Sequence, residues 1–233
     1  MQANSNMIKI PATSYIYRTS HRIMEGDCQY DHGPRAVDLQ EFLIDIYPVT
    51  NADFKAFLDD FGYASKNRTN FLKHWGGDAP SAEILNHPVV WVSLQDAQEY
   101  AKWRGCRLPK EEEWQLAAGG LDKFAYPWGN EYNANFCNSS GDSLTAVDAF
   151  AQGKSPFGLM DMCGNAWEFT NDIIDDGMNL FALLRGGSYY QADHFWHTDG
   201  GPRPNTHHLK MPLIGDELNR AATVGFRCVK ERE

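Results

Sequence analysis

The sequence predicts a mixed α+β fold, low in regular secondary structure and loop-rich. Three observations carry that expectation. The 233 residues include 7 Trp, 10 Tyr, 13 Phe and 20 Gly, a mixture suited to loops held by large rings rather than to long regular elements. Helical periodicity is clean only in the first half, ending at Gly119-Gly120. From Tyr126 to Arg227 the chain reads as turns, short apolar runs and aromatics, with no long helix. No repeat, linker or low-complexity segment divides it, so residues 1–233 are expected to form a single domain.

Taken in order, Ile8 to Tyr17 alternate well enough for an opening strand. A polar, irregular stretch follows through Asp31-His32-Gly33-Pro34, and Val37, Leu39, Phe42, Ile44 and Ile46 then predict a strand pair. Thr50 and Asn51 are good helix N-caps, with Asp53 near the start. Phe54, Phe57, Leu58 and Phe61 recur on one face, and Gly62 closes the helix. A second helix opens at Ser93, with Asp96 three residues on, buries Ala97, Tyr100 and Ala101, and ends at Gly105. A third places Pro109 in its first turn, puts Glu111, Glu112 and Glu113 at the positive end and turns Trp114, Ala117 and Ala118 inward.

Composition narrows the function classes. Hydrophobic residues at 42% and charged residues at 22% describe a globular chain rather than a disordered one. The net charge of −10 repels phosphate backbones, so nucleic acid is not an expected partner. No apolar run approaches a membrane span, and the first residues do not read as a secretory leader. Cys28, Cys106, Cys137, Cys163 and Cys228 are odd in number and scattered, which argues against a disulfide framework and points to a cytoplasmic setting.

Several blocks then stand in a fixed order. They are Ile44 to Phe54 (IDIYPVTNADF), His87 to Ser93 (HPVVWVS), Arg107-Leu108-Pro109 with Glu113-Trp114, and Phe157 to Glu168 (FGLMDMCGNAWE). Leu184-Arg185-Gly186-Gly187-Ser188 and Val224-Gly225-Phe226-Arg227-Cys228 follow. Together they resemble the sulfatase-modifying-factor family, whose founding member is the formylglycine-generating enzyme. The resemblance implies a C-type-lectin-like fold. It does not fix an activity, because the family holds copper-dependent formylglycine formation, sulfoxide synthases, a pyoverdine-maturation enzyme and non-catalytic binding proteins. The sulfoxide synthases carry an iron-binding helical bundle ahead of this fold, and none is expected here.

The resemblance also implies structural calcium. Carried over by position, one site takes Asp161, the carbonyls of Gly164 and Ala166, and Glu168; a second takes Asn135, the Phe136 carbonyl, Asp142 and the Leu144 carbonyl. Two acids around a tight turn supply the carboxylate and carbonyl oxygens calcium wants. Otherwise Asp161 and Glu168 cap turns or pair with Arg185.

Formylglycine formation in the family uses two cysteines five residues apart, just beyond the Gly-Gly-Ser-Tyr block. Those positions are Gln191 and Trp196 here, so formylglycine generation is not expected. What replaces the pair is rich in histidine: His194, His197, His207 and His208, four of the chain's 8, lie in this segment with Asp193 and Asp199. Two imidazoles and a carboxylate suit a non-haem iron site, and imidazole also suits copper or zinc, so the ligand types do not decide the metal. The competing reading makes them loop histidines bonded to carbonyls or stacked on Trp196. Arg203, between two prolines, either binds a substrate carboxylate or pairs with Asp199 or Glu217. Of the tryptophans, Trp75, Trp91, Trp103, Trp114, Trp128 and Trp167 are expected in the core, and Trp196 at the site.

The sequence therefore points to a metal-dependent, oxygen-using oxidoreductase acting on a peptide or small natural product. Its site would combine His194, His197, Asp199, His207 and His208 with Arg203 and Trp196, using iron or copper beside structural calcium. The alternative is a non-catalytic, lectin-like ligand- or protein-binding module on the same loops.

Overall fold

The computed structural model describes residues 6–22, 29–31, 33–191, 200–215 and 219–231. The chain opens with β1 (Met7–Ile10), β2 (Thr13–Tyr17), β3 (Ser20–Arg22), β4 (Gln29–Asp31), β5 (Arg35–Leu39) and β6 (Phe42–Asp45). Three helices follow: α1 (Asn51–Phe61), α2 (Leu94–Trp103) and α3 (Glu111–Gly119). The second half contributes β7 (Trp167–Asp175), β8 (Leu180–Arg185), β9 (Leu209–Pro212), β10 (Val224–Phe226) and β11 (Val229–Glu231).

The opening strand is two strands. Pro11 has no N–H to offer a ladder, and the chain changes sheets there. β1 pairs with β6, which β11 flanks on its other side, whereas β2 pairs with β5. The other large sheet has the order β10-β7-β8-β9, with β10 parallel to β7. Its nine-residue β7 was not expected from sequence. The strand is buried from Trp167 to Thr170 and then alternates through Asp175, so its outer half reads as polar.

Helix boundaries follow local chemistry. Thr50 accepts the Asp53 N–H through Oγ1, and the Asp53 carboxylate returns to the Thr50 N–H at 3.2 Å. Gly62 adopts φ 67° and closes α1 with its N–H on the Leu58 carbonyl. Pro109 lies just outside α3, whose N-cap is Lys110, rather than in its first turn. Thr50→Ala removes the first cap and is expected to cost ~1 kcal/mol, read as a lower urea midpoint at unchanged slope.

Two apolar clusters result. One packs α1 and α2 on β7, β8 and β10, where Phe54 stacks on Tyr100 at 5.6 Å and Phe226 meets Tyr100 edge-on. The other places Trp114 and Leu116 of α3 against Ile10, Tyr15, Phe42 and Ile44. Three buried arginines tie the later half to acids in the earlier elements or in β7: Arg220 to Asp96, Arg185 to Glu111 and Arg227 to Glu168. Such pairs must be nearly complete in hydrogen bonds to be tolerated in a dry interior. The Arg220 guanidinium meets this with Ser65 and the carbonyls of Asn67 and Thr69.

Candidate functional site

The two ends of the segment that carries His194 and His197, at Gln191 and Gly200, are held close together by the scaffold. β8 ends at Arg185, and Gly186 and Gly187 follow with φ of 92° and 84°. A Cβ on Gly187 would stand 2.3 Å from the Gly201 carbonyl, so only glycine allows the two arms to meet. Across that contact the Ser188 N–H donates to Gly201, the Gly201 N–H to Tyr190, and the Arg203 N–H to Gly186. Gln191, at the position the resemblance assigns to the first catalytic cysteine, donates through Nε2 to the Ser139 carbonyl at 2.7 Å. His194, Trp196, His197 and Asp199 lie outside the described residues.

His207 and His208 sit beyond the return arm, and both are buried. The His208 Nδ1 lies 3.0 Å and 3.1 Å from the two Glu111 oxygens, and the His207 ring packs 6.1 Å from the Trp167 ring. Burial alone would raise the Glu111 carboxyl, but Arg185, His208 and Tyr17 outweigh it and hold its pKa at about 2. Glu111 is thus an acceptor only, which makes His208 Nδ1 the donor and fixes that ring in the core network. Among the described residues, no three His, Cys, Asp or Glu side chains are grouped to hold a metal.

Arg203 braces the loop base: Nη2 donates to the Gly200 carbonyl at 2.9 Å. The partners expected for it, Asp199 and Glu217, lie outside the described residues. Beside it stands an aromatic cluster that sequence reasoning missed. Tyr126 and Trp128 stack at 5.5 Å across the tight Tyr126–Gly129 turn, with Tyr132 against Tyr126 and Phe136 edge-on to Trp128. Trp128 is therefore half-buried in a surface cluster rather than in the core, with Nε1 on the Glu131 carbonyl. Trp91 and Trp103 are likewise only half-buried, whereas Trp75, Trp114 and Trp167 are buried as expected. The signal for the cluster was the i, i+2 aromatic spacing around Pro127.

The two loops that the resemblance assigns to calcium are joined through one side chain. Asn165, fully buried at φ 56°, accepts from Asn138 Nδ2 and the Thr145 N–H through Oδ1, and donates to Asp161 at 2.7 Å through Nδ2. Its carbonyl accepts the Tyr189 N–H, so this turn also positions the loop base. Glu168 pairs with Arg227 and accepts the Trp114 indole N–H, while Arg185, its neighbour across β7 and β8, turns to Glu111. Asp161 and Glu168 thus have one close cation between them. Burial, reinforced by the Glu168 charge, pushes the Asp161 carboxyl up to about 8.

The first site offers a buried Asp161 carboxyl held by Asn165, beside a Glu168 carboxylate whose two oxygens already engage Arg227 and Trp114. A hard divalent cation there would supply the charge that burial denies Asp161, with the Gly164 and Ala166 carbonyls as the further ligands the resemblance implies. The second loop is more open, with Asn135 and Asp142 exposed and the Phe136 carbonyl packed on Gly153.

Comparison with known proteins gives the family and the fold. A family profile described as the sulfatase-modifying factor enzyme 1-like domain matches residues 1–232. The inactive C-alpha-formylglycine-generating enzyme 2 of Mus musculus is 33% identical over 273 residues, spanning 95% of this chain and 84% of that protein. The formylglycine-generating enzyme of Thermomonospora curvata is 36% identical over 192 residues, 60% of this chain and 63% of that protein. In structure, PvdO from Pseudomonas aeruginosa superposes with a TM-score of 0.71 at 19% identity, covering 97% of this chain and 94% of its own, which shows a shared fold.

Proposed function

Since the chain belongs to the family of sulfatase-modifying factor enzyme 1-like domains, we propose that it is a metal-dependent, oxygen-using oxidoreductase acting on a peptide or small natural product. The observation that carries this reading is the pinned loop base. Backbone hydrogen bonds hold the 186–191 and 200–203 arms together, and the segment between them carries His194, His197 and Asp199 in sequence where the resemblance places a cysteine pair. Iron or copper would be held by those three. His207 and His208, placed in the ligand set from sequence, lie in the protein interior, and the His208 Nδ1 is already engaged by Glu111. The aromatic cluster and Arg203 would receive the substrate.

His194→Ala and His197→Ala test this. Each is expected to abolish uptake of Fe(II) or copper at micromolar metal while the melting curve stays within about a degree or two of wild type. Variants that unfold without any change in metal content overturn the assignment.

A second reading is a binding module without chemistry, and one comparison favours it: the relative matching 95% of this chain carries the word inactive in its name. Either reading predicts that a sulfatase-type cysteine peptide, incubated in air with or without copper, keeps its sulfur. Gln191 has no thiol with which to engage the substrate. A formylglycine product in the peptide's mass spectrum would contradict both.

A further inference from the structure

Two cysteines that the proposed activity does not use lie beneath the loop base. Cys137 follows the short Ala134–Phe136 turn, and Cys163 sits in the Asp161–Glu168 turn. They are remote in sequence, yet both are buried free thiols, and the two backbone segments that carry them lie side by side. The backbone is shaped for that approach. A Cβ on Gly164, next to Cys163, would stand 3.3 Å from the Cys137 Cβ and 2.4 Å from the Asn138 carbonyl. The Asn165 N–H donates to the same Asn138 carbonyl at 3.0 Å, which locks the two segments side by side.

The other described cysteines differ. Cys106 donates to the Arg104 carbonyl within its own turn, and Cys228 is enclosed in the first core cluster. The surroundings of the Cys137–Cys163 pair also reach the loop. The Cys163 thiol donates to the Arg203 carbonyl at 3.6 Å, and Ser139, two residues from Cys137, holds Gln191. Any covalent change at these sulfurs acts on both arms of the loop base.

We propose that Cys137 and Cys163 form a redox dithiol that closes to a disulfide with a hydroperoxide as oxidant, clamping the two calcium-type loops beneath Gln191. The sulfur of one cysteine, as thiolate, attacks the peroxide oxygen. The O–O bond breaks, an S–O bond forms, and the alcohol (water, from hydrogen peroxide) leaves with a proton. The second sulfur then attacks the sulfenic sulfur, forming S–S and releasing water. Two electrons pass from the sulfurs to the peroxide, and both thiol protons end in the oxygen products. Close approach of the two backbone segments is what such closure needs, because a disulfide tolerates only a narrow range of Cα and Cβ separations.

The test treats the full chain, folded and calcium-loaded, with a small excess of hydrogen peroxide, then alkylates it in denaturant without reduction. The expected result is protection of two thiols, a mass about 2 Da below the reduced protein before alkylation, and one cross-linked peptide joining Cys137 to Cys163. Reduction should restore both alkylation sites. Cys163→Ser should abolish the cross-link and leave Cys137 as a sulfenic or sulfinic acid. If that variant fails to fold, the wild-type peptide map still decides the question. A cross-link through Cys28, Cys106 or Cys228 instead, or full retention of the thiols under these conditions, overturns the proposal.

Discussion

Chelating calcium is expected to lower the melting temperature by roughly 5–10 °C and to make the remaining stability fall as pH rises. A ligand at about a hundred times its Kd adds ~2.7 kcal/mol, and in a chain of this size ~1 kcal/mol moves the melting point by about 2–4 °C. The pH dependence follows from Asp161. Its carboxyl is raised from 3.8 to about 8 by burial and then by the Glu168 charge, so the metal-free fold favours the protonated form. That contribution is fully present below the unfolded value and is lost as pH rises through the folded one. The chelated protein should therefore weaken between about pH 4 and pH 8, whereas the calcium-loaded protein, whose Asp161 stays a carboxylate, should not. Melting curves at several pH values, with chelator and with calcium, check both halves. Insensitivity to chelator would dismiss the calcium assignment, and a chelated protein that strengthens with pH would dismiss the role given to Asp161.

Arg185→Met is expected to cost about 3–5 kcal/mol, because it leaves the buried Glu111 charge without its cation. Arg185 is fully buried, bonds Glu111 and Tyr17 through its guanidinium, and holds the Asn205 and His207 carbonyls. A loss of that size is a large part of a typical domain's ~5–15 kcal/mol. The double change Arg185→Met with Glu111→Leu should recover much of it, since replacing both partners of a buried pair by apolar groups is often neutral. Glu111 also sets a pH signature of the opposite sign to Asp161. Its pKa is depressed from 4.5 to about 2, so its contribution is present above the unfolded value and is lost as pH falls through the folded one. Urea unfolding of the single and double variants at neutral pH decides the case. A double variant as weak as the single would mean that Arg185 acts through the carbonyls it holds and not through Glu111.

What could be read from the sequence, and what could not, divides by range. All three helices were legible because their signals are local: the capping boxes at Thr50 and Ser93 and the glycine at position 62 each act within a few residues. The exposed end of the α1 stripe, Phe61, was legible as part of the pattern but not in its 57% exposure, since it stacks on Phe57 at the rim. The β7–β9 sheet escaped because half of β7 faces out with polar residues, and its register is set by partners far along the chain. The buried arginines escaped for the same reason. A lone Arg reads as surface until its acid is known, and Arg185 meets Glu111 across 74 residues. The calcium ligand set was reached only through family resemblance; the acids by themselves suggested turn caps, and the structure pairs Glu168 with Arg227, a partner no local spacing announces. His207 and His208 were grouped with His194 and His197 by proximity in sequence, yet the return arm carries the first two into the core.

If His194, His197 and Asp199 hold iron or copper at the positions where the resemblance places a cysteine pair, the purified protein carries that metal. Elemental analysis of freshly purified protein, never exposed to chelator, tests this most directly. The account predicts about one or two calcium ions per chain and, above them, roughly one equivalent of iron or copper. Calcium alone, with no transition metal taken up when Fe(II) or copper is offered at micromolar concentration, would contradict it and leave the binding module as the function of these loops.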